Sequence, residues 1–186
     1  MTSDTFEGIP KIGDGDYSTA RSTVKQRPAS ELKDAILGLF ELEHIVGLRW
    51  NQYIPRFNDG DVCEFTVSGV SVSDSRAPED AEWVDHDDYT GMVWLDSDSY
   101  ADTVWFETGE VRTRFDGKVE PVSDYREVPR SWSDQKTVDK VNEVMSMIGA
   151  EFYDALEENF GSYAEVTFMK VDGELKVFVE SCEAPY

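Results

Sequence analysis

Long apolar runs are missing from this 186-residue chain, and none approaches the about 18 residues that a bilayer crossing needs. Basic residues are scarce: 17 Lys and Arg stand against 39 Asp and Glu, for a net charge of −22. Phosphate recognition rests on Lys and Arg that release counterions, so direct binding of nucleic acid is not expected, and adhesion to an anionic membrane is disfavoured on the same ground. The opening residues, Met1 to Glu7, hold neither the basic nor the apolar region of a secretory signal, and the chain is expected to be cytoplasmic. Only Cys63 and Cys182 carry thiols, expected to be free and half-buried rather than bridged. Two histidines, His44 and His86, leave few soft ligands for zinc. A Gly-x-Ser-x-Gly elbow, a phosphate-cradling Gly-x-x-x-x-Gly-Lys and a Gly-x-Gly-x-x-Gly turn are all lacking, and neither cysteine has a sequence neighbour that would lower its pKa. No catalytic residue is assigned and no cofactor is expected.

What is present can fill one sizeable core, since 40% of the residues are hydrophobic and 12% aromatic. Residues 1–27 mix Gly, Ser, Thr, Asp and scattered bases without a sustained period and read as a flexible tail, with residues 28–186 as a single α+β domain. Ser30 can cap a helix over about 31–43 whose apolar face carries Leu32, Ile36, Leu39, Phe40 and Leu42. Segments 44–53 and 62–72 are rich in β-branched and aromatic residues and flank the turn signal Asn58-Asp59-Gly60-Asp61, which predicts two antiparallel strands. On the second, Gly69 permits a bulge or break that brings Val70 and Val72 into the apolar phase of Cys63, Phe65 and Val67.

An aromatic-apolar-acid triplet recurs every eleven residues, as Trp83-Val84-Asp85, Trp94-Leu95-Asp96 and Trp105-Phe106-Glu107. Three copies are too few for a solenoid; they predict short strands around 91–95, 103–107 and 110–115, each anchoring a Trp in the core. Val138, Val141, Met145, Ile148, Phe152 and Leu156 lie on one stripe and predict the longest helix over about 134–159, introduced by Ser131 or Ser133 and stopped by Gly161. Asp172-Gly173, between segments 163–171 and 174–181, is the preferred centre of a type I′ hairpin. The expected architecture is an antiparallel sheet of about five to six strands packed by one long helix in the C-terminal half and one shorter N-terminal helix.

Residues 79–110 hold eleven acids and no Lys or Arg, half of the net charge; residues 1–78 hold 12 acids and 8 bases, and residues 111–186 hold 16 and 9. Like charges this dense work against compaction, which a cationic partner would offset; the bland alternative is a solvated face that keeps the protein soluble, or adaptation to high salt. In an extended strand residues i and i+2 share a face about 6.6–6.8 Å apart, so Asp85 with Asp87, and Asp96 with Asp98, would present anionic pairs spaced like neighbouring phosphates of a nucleic-acid backbone. Asp85, Asp87, Asp88, Asp96, Asp98 and Asp102 are the candidate partner-binding residues. Asp85-His86-Asp87-Asp88 also invites a metal reading, but an HD-type phosphohydrolase needs separated ligands on helices, and the surroundings of His86 do not look helical. Neither Asp14-Gly15-Asp16 nor Asp59-Gly60-Asp61 has the full spacing of a calcium loop, and no metal ligand is assigned.

The segment from Trp50 to Phe65 resembles a signature of uncharacterised tailed-bacteriophage proteins through Trp50, Gln52, Tyr53, Pro55, Phe57, Asn58, Asp59, Gly60, Asp61, Cys63 and Phe65, while Ile54 and Arg56 depart from the Thr and Tyr of that pattern. The resemblance covers 16 of 186 residues and implies a viral origin and a place in the host cytoplasm, without an activity. Read plainly, these aromatics fill the core of a hairpin. Read functionally, Trp50, Tyr53 and Phe57 form a wall for a flat ligand, with Gln52 and Asn58 as polar contacts. The function expected is a non-enzymatic, DNA-mimic-like acidic protein that occupies a basic, nucleic-acid-binding surface of a host or defence protein. The runner-up is a protein that sequesters a small molecule or nucleotide, with Arg49, Arg56, Arg112 or Arg114 to offset the charge; a metal-dependent hydrolase using Asp85, His86 and Asp87 comes third.

Overall fold

A computed structural model of the protein describes residues 5–13, 24–55, 64–78, 85–86 and 92–182. Their elements are β1 (Thr5–Phe6), β2 (Ile9–Ile12), α1 (Ala29–Phe40), β3 (Ile45–Tyr53), β4 (Thr66–Asp74), β5 (Asp85–His86), β6 (Val93–Trp94), β7 (Ala101–Thr113), β8 (Val119–Pro129), α2 (Gln135–Met147), α3 (Tyr153–Phe160), β9 (Ala164–Val171) and β10 (Glu174–Ser181), with 3₁₀ turns at Ser97–Tyr100 and Ala150–Phe152. The fold is α+β. Six strands form one sheet in the order β1-β2-β10-β9-β3-β4.

That sheet is mixed, not wholly antiparallel as expected, because β2 runs parallel to β10 with Lys11 against Val177 and Ile12 against Phe178. Residues 5–12, read in the sequence as part of a tail, thus form one edge of the sheet, and Phe6 is fully buried with its ring 5.0 Å from Phe160 and 5.9 Å from Phe168. So short a segment, with one apolar side chain per face, carries no periodicity by which a strand could be recognised.

Alternation does the rest of the sorting. One face of the sheet presents Leu48, Trp50 and Gln52 from β3, Val166 and Phe168 from β9, and Val177 and Val179 from β10. These meet Leu32, Ile36 and Leu39 of α1, Val138, Val141 and Val144 of α2, and Leu156 and Phe160 of α3 in one core. Each such large side chain contributes about 1.5–3 kcal/mol by leaving water. The Gly69 bulge is present: Arg49 pairs with Ser71 and Asn51 with Ser68, so two residues of β4, Gly69 and Val70, oppose the single Trp50 of β3, with Gly69 at φ +62°. The β9–β10 hairpin is present as well, with Asp172 at φ +54° and Gly173 at φ +82°, the left-handed pair that type I′ geometry requires.

The helix expected over 134–159 is broken. Its apolar stripe continues through Ile148, Phe152 and Leu156, but α2 stops at Met147, Gly149 is extended, and α3 restarts at Tyr153 after the 3₁₀ turn. The segment preceding α1 satisfies backbone groups that the break frees: Arg27 N donates to Glu151 O at 2.8 Å, Gln26 Nε2 donates to Ala150 O at 2.8 Å, and Gln26 Oε1 accepts from Asp154 N at 2.9 Å. At the other helix starts, Asp134 rather than Ser131 or Ser133 caps α2, while Pro28 stands at the N-cap of α1 without a side-chain bond, displacing Ser30 from that role. The strands expected at 103–107 and 110–115 are a single strand, β7, which pairs only with β8 in a ribbon separate from the main sheet. Trp105, expected in the core, lies on that ribbon and is exposed.

Candidate functional site

The aromatic segment goes to the core. Trp50 is fully buried, stacked on Phe168 with ring centroids 5.7 Å apart, and its Nε1 donates to Gln52 Oε1 at 2.9 Å. Gln52 Nε2 in turn donates to the carbonyls of Leu156 and Gly161, so this amide ties β3 to α3. Neither side chain faces a cleft, which is the plain reading of the segment. Tyr53, the next residue of β3 and so on the other face of the sheet, is half-buried, and Phe57 and Asn58 lie outside the described residues. Ligand reading on this wall would have to displace the central sheet.

The candidate acidic pairs fare unequally. Asp85 lies in β5, opposite Trp94, while Asp87 and Asp88 fall outside the described residues. Asp96 and Asp98 are exposed, but they do not share a face of an extended strand. Asp96 instead caps the 3₁₀ turn that contains Asp98, its Oδ1 accepting from Ser99 N at 2.9 Å and from Ser99 Oγ at 2.7 Å. Alternating Asp and Ser compete for their own backbone, and that turn chemistry outweighs the strand spacing. Asp102, at the root of the ribbon, is exposed and 3.3 Å from Arg130. Glu107 and Glu110 follow on β7, both exposed.

Above these carboxylates the outer face of the sheet carries a cleft of about 420 Å³, lined by Arg49, Asn51, Gly69, Val70, Ser71, Trp94, Asp96 and Glu165. The geometry follows from register. Backbone bonds between Val72 and Leu95, at 2.8 and 2.9 Å, join β6 to the edge of β4, which turns Leu95 inward and Trp94 outward over β3. Gly47 makes room for the indole: a Cβ there would come within 2.8 Å of the Trp94 ring. The Arg49 guanidinium lies 4.4 Å from the centroid of that ring and donates through Nε to Ser71 Oγ at 3.1 Å. Cation, aromatic face, hydroxyl, amide and two carboxylates thus converge on one opening, and such a site can hold a small polar molecule carrying both signs of charge.

A second polar cluster ties the end of β4 to the start of α2. The Asp74 carboxylate is wholly buried and accepts from Arg76 N at 2.9 Å, Nε at 3.2 Å and Nη2 at 2.9 Å. Arg76 Nη1 also lies 2.9 Å from Asp134 Oδ2, and Thr137 Oγ1 is within 3.1 Å of Arg76 Nη2, Asp134 Oδ2 and His44 Nε2. The Arg76 hydrogen bond, with the Thr137 amide, pulls the Asp134 pKa down to about 2. Burial lowers the pKa of His44, with Asp74 pulling the other way, and burial raises that of the Tyr100 phenol. Three of the roughly four acceptor sites of the Asp74 carboxylate are taken by Arg76, and through Arg76, Asp134 and Thr137 the cluster acts as a strut between β4 and α2. No group of three or more His, Cys, Asp or Glu among the described residues is placed to hold a metal. Cys182 is a free thiol, and burial raises its pKa.

Sequence reasoning named Arg49 as a possible anion contact but missed the cleft around it. The only local sign was the run of small residues Ser68, Gly69, Ser71 and Ser73 on an otherwise apolar strand, which leaves room on one face. No protein family, curated protein or solved structure matches the chain. The phage-like resemblance therefore rests on the residues of the segment from Trp50 to Phe65 alone.

Proposed function

We propose that this is a non-enzymatic, phage-type interaction protein whose acidic surface occupies a basic, nucleic-acid-binding site on a host or defence protein. The observation that carries the reading is the exposure of Asp96, Asp98, Asp102, Glu107 and Glu110 on one continuous stretch of chain; among the described residues only Asp102 is drawn into an ion pair. Their arrangement is not the regular ladder of a strand. The mimicry would therefore be one of charge density, with the acids spread along a turn and the ribbon root, rather than of phosphate spacing. Capture from host lysate tests it. Wild type should retain a basic protein at about 0.1 M salt and release it toward 1 M, as the Debye length falls from about 10 to about 3 Å, and duplex DNA should compete. A variant with Asp85, Asp87, Asp88, Asp96 and Asp98 all changed to Asn should retain none. Capture that survives these changes, or that ignores salt and DNA, would overturn the reading.

A second reading is favoured by the cleft at Arg49 and Trp94: sequestration of a small molecule, moved from the buried aromatic segment to the outer face of the sheet. Asp96 and Glu165 beside Arg49 make a polyphosphate a poor fit and a zwitterion a better one. Ligand at a hundredfold excess over its Kd should add about 2.7 kcal/mol of stability, absent in Arg49→Ala. Denatured extracts without a small molecule, together with no melting shift across a panel of zwitterionic metabolites, would exclude it.

A further inference from the structure

In an uninterrupted helix each amide donates to the carbonyl four residues back, so Asp154 N would bond Ala150 O directly and Ala155 N would bond Glu151 O. At the joint between α2 and α3 a side chain from far away in sequence occupies the first of these rungs. Gln26 donates through Nε2 to Ala150 O at 2.8 Å and accepts through Oε1 from Asp154 N at 2.9 Å, so one primary amide stands between the two backbone groups that a continuous helix would join. The next carbonyl, Glu151 O, accepts from Arg27 N at 2.8 Å. A side chain inserted into the hydrogen-bond ladder is one of the few causes of a sharp break in a helix.

The sequence that breaks favours continuity. At about 100° per residue, the apolar stripe from Val138 through Ile148 and Phe152 to Phe160 stays within an arc of about 120° of a single helix. Residues 134–160 hold no proline, and Gly149, a poor helix former, weakens the joint without forcing it open. Its φ of −166° is extended backbone that any residue adopts, and a Cβ there would meet only Ser146 O, at 3.7 Å. The strap itself is lightly held. Lys25, Arg27 and Pro28 are exposed and Gln26 is half-buried. The Arg27 guanidinium lies 4.9 Å from the centroid of the Phe152 ring and pairs with the exposed Glu31 and Glu151 at 2.6 and 3.3 Å, contacts that contribute little at a surface.

We infer that residues 24–27 form a removable strap with the Gln26 amide as its wedge, and that residues 148–152 become helical when the wedge is withdrawn, joining α2 and α3 into one helix over 135–160. Withdrawal returns the Gln26 amide to water, and the Asp154 N–Ala150 O rung closes in its place. The cost of joining falls on α2, whose far end is tied by the Arg76–Asp134 pair at the surface, because α3 is anchored in the core through Gln52, which donates to Leu156 O and Gly161 O. The strap is thus a conformational device whose input is an exposed segment before α1 and whose output is the state of a helix joint. It does not depend on the proposed function, and its failure leaves that reading untouched.

Gln26→Met tests it on the full chain, because it keeps the length and bulk of the side chain and makes neither bond. The Cα chemical shifts of residues 148–152 should move toward helical values, and the amides of Ala150 and Glu151, which would then donate to the Ser146 and Met147 carbonyls, should exchange about tenfold more slowly. Gly149→Ala touches no bond of the strap. Alone it should move the same shifts in the same direction, less far; added to Gln26→Met it should raise the ratio of continuous to broken helix about fivefold, the preference for alanine over glycine within a helix. Arg27→Ala keeps both the Gln26 amide and the backbone bond to Glu151 O, and should leave the joint broken. Were Gln26 a structural tie and no wedge, its loss would loosen the joint, with shifts moving toward coil and faster exchange. That result, a joint unchanged by Gly149→Ala, or the same helical gain from Arg27→Ala would overturn the inference.

Discussion

Asp74 is the residue on which the junction of β4 and α2 turns, and its burial sets the cost of disturbing it. Removing a partner from a buried charge is expensive because the charge that remains cannot return to water, so Arg76→Ala should lower stability by about 3 kcal/mol, read from chemical denaturation. A loss below 1 kcal/mol would mean that water reaches Asp74. His44, in the same cluster, makes the strut sensitive to acid. Burial depresses its pKa, so the unfolded chain takes up a proton that the folded chain refuses; stability is then unaffected well above about pH 6.5 and falls as pH drops below it. Melting temperature between pH 7.5 and 5.5 should decline more in wild type than in His44→Gln, and parallel profiles would contradict the assignment. None of this was legible in the sequence. His44 sits 30 positions from Asp74 and more than 90 from Thr137, and only the turn after β4 and the start of α2 bring the three together.

Among the elements, those whose signal is local were legible. The β9–β10 hairpin follows from Asp172-Gly173, and Gly173→Val should destabilise the domain by about 1–2 kcal/mol, because a β-branched residue is strained at φ +82°; an unchanged melting temperature would mean that the turn has another geometry. The Gly69 bulge was equally readable, since the apolar phase shifts there and glycine accepts the positive φ. Three features were hidden for physical reasons. The stripe from Val138 to Leu156 keeps its period across Gly149, and the bonds that hold the break come from Gln26 and Arg27, far away in sequence. The triplet containing Trp105 has the same aromatic-apolar-acid pattern as that containing Trp94, yet β6 is zipped to the edge of β4 and β7 is not, so one indole is buried and the other exposed. Asp96 and Asp98 have strand spacing, but a capping carboxylate gains more from Ser99 N than from extension. The candidate acidic residues were thus visible in composition, and their geometry was not.

For the whole molecule, a net charge of −22 on 186 residues means that every fold contact is made against self-repulsion. Raising salt from about 0.02 to 0.5 M shortens the screening length severalfold and should add about 1 kcal/mol, or about 3 °C in melting temperature; a flat or falling profile would show that ion pairs such as Arg76–Asp134 matter more than the unpaired acids. No described helix is long and apolar enough to cross a membrane. The parallel pairing of β2 with β10 adds a constraint in time. Ile12 meets Phe178 across nearly the whole chain, and at about 5–20 residues per second their emergence from a ribosome differs by on the order of ten seconds. Until then Phe6 has no Phe168 to pack on, and β3 has no β9 beside it. Much of the sheet must therefore assemble after synthesis has passed residue 170, and a nascent chain stalled before that point would display Trp50 and its neighbours to chaperones and proteases instead of a finished core.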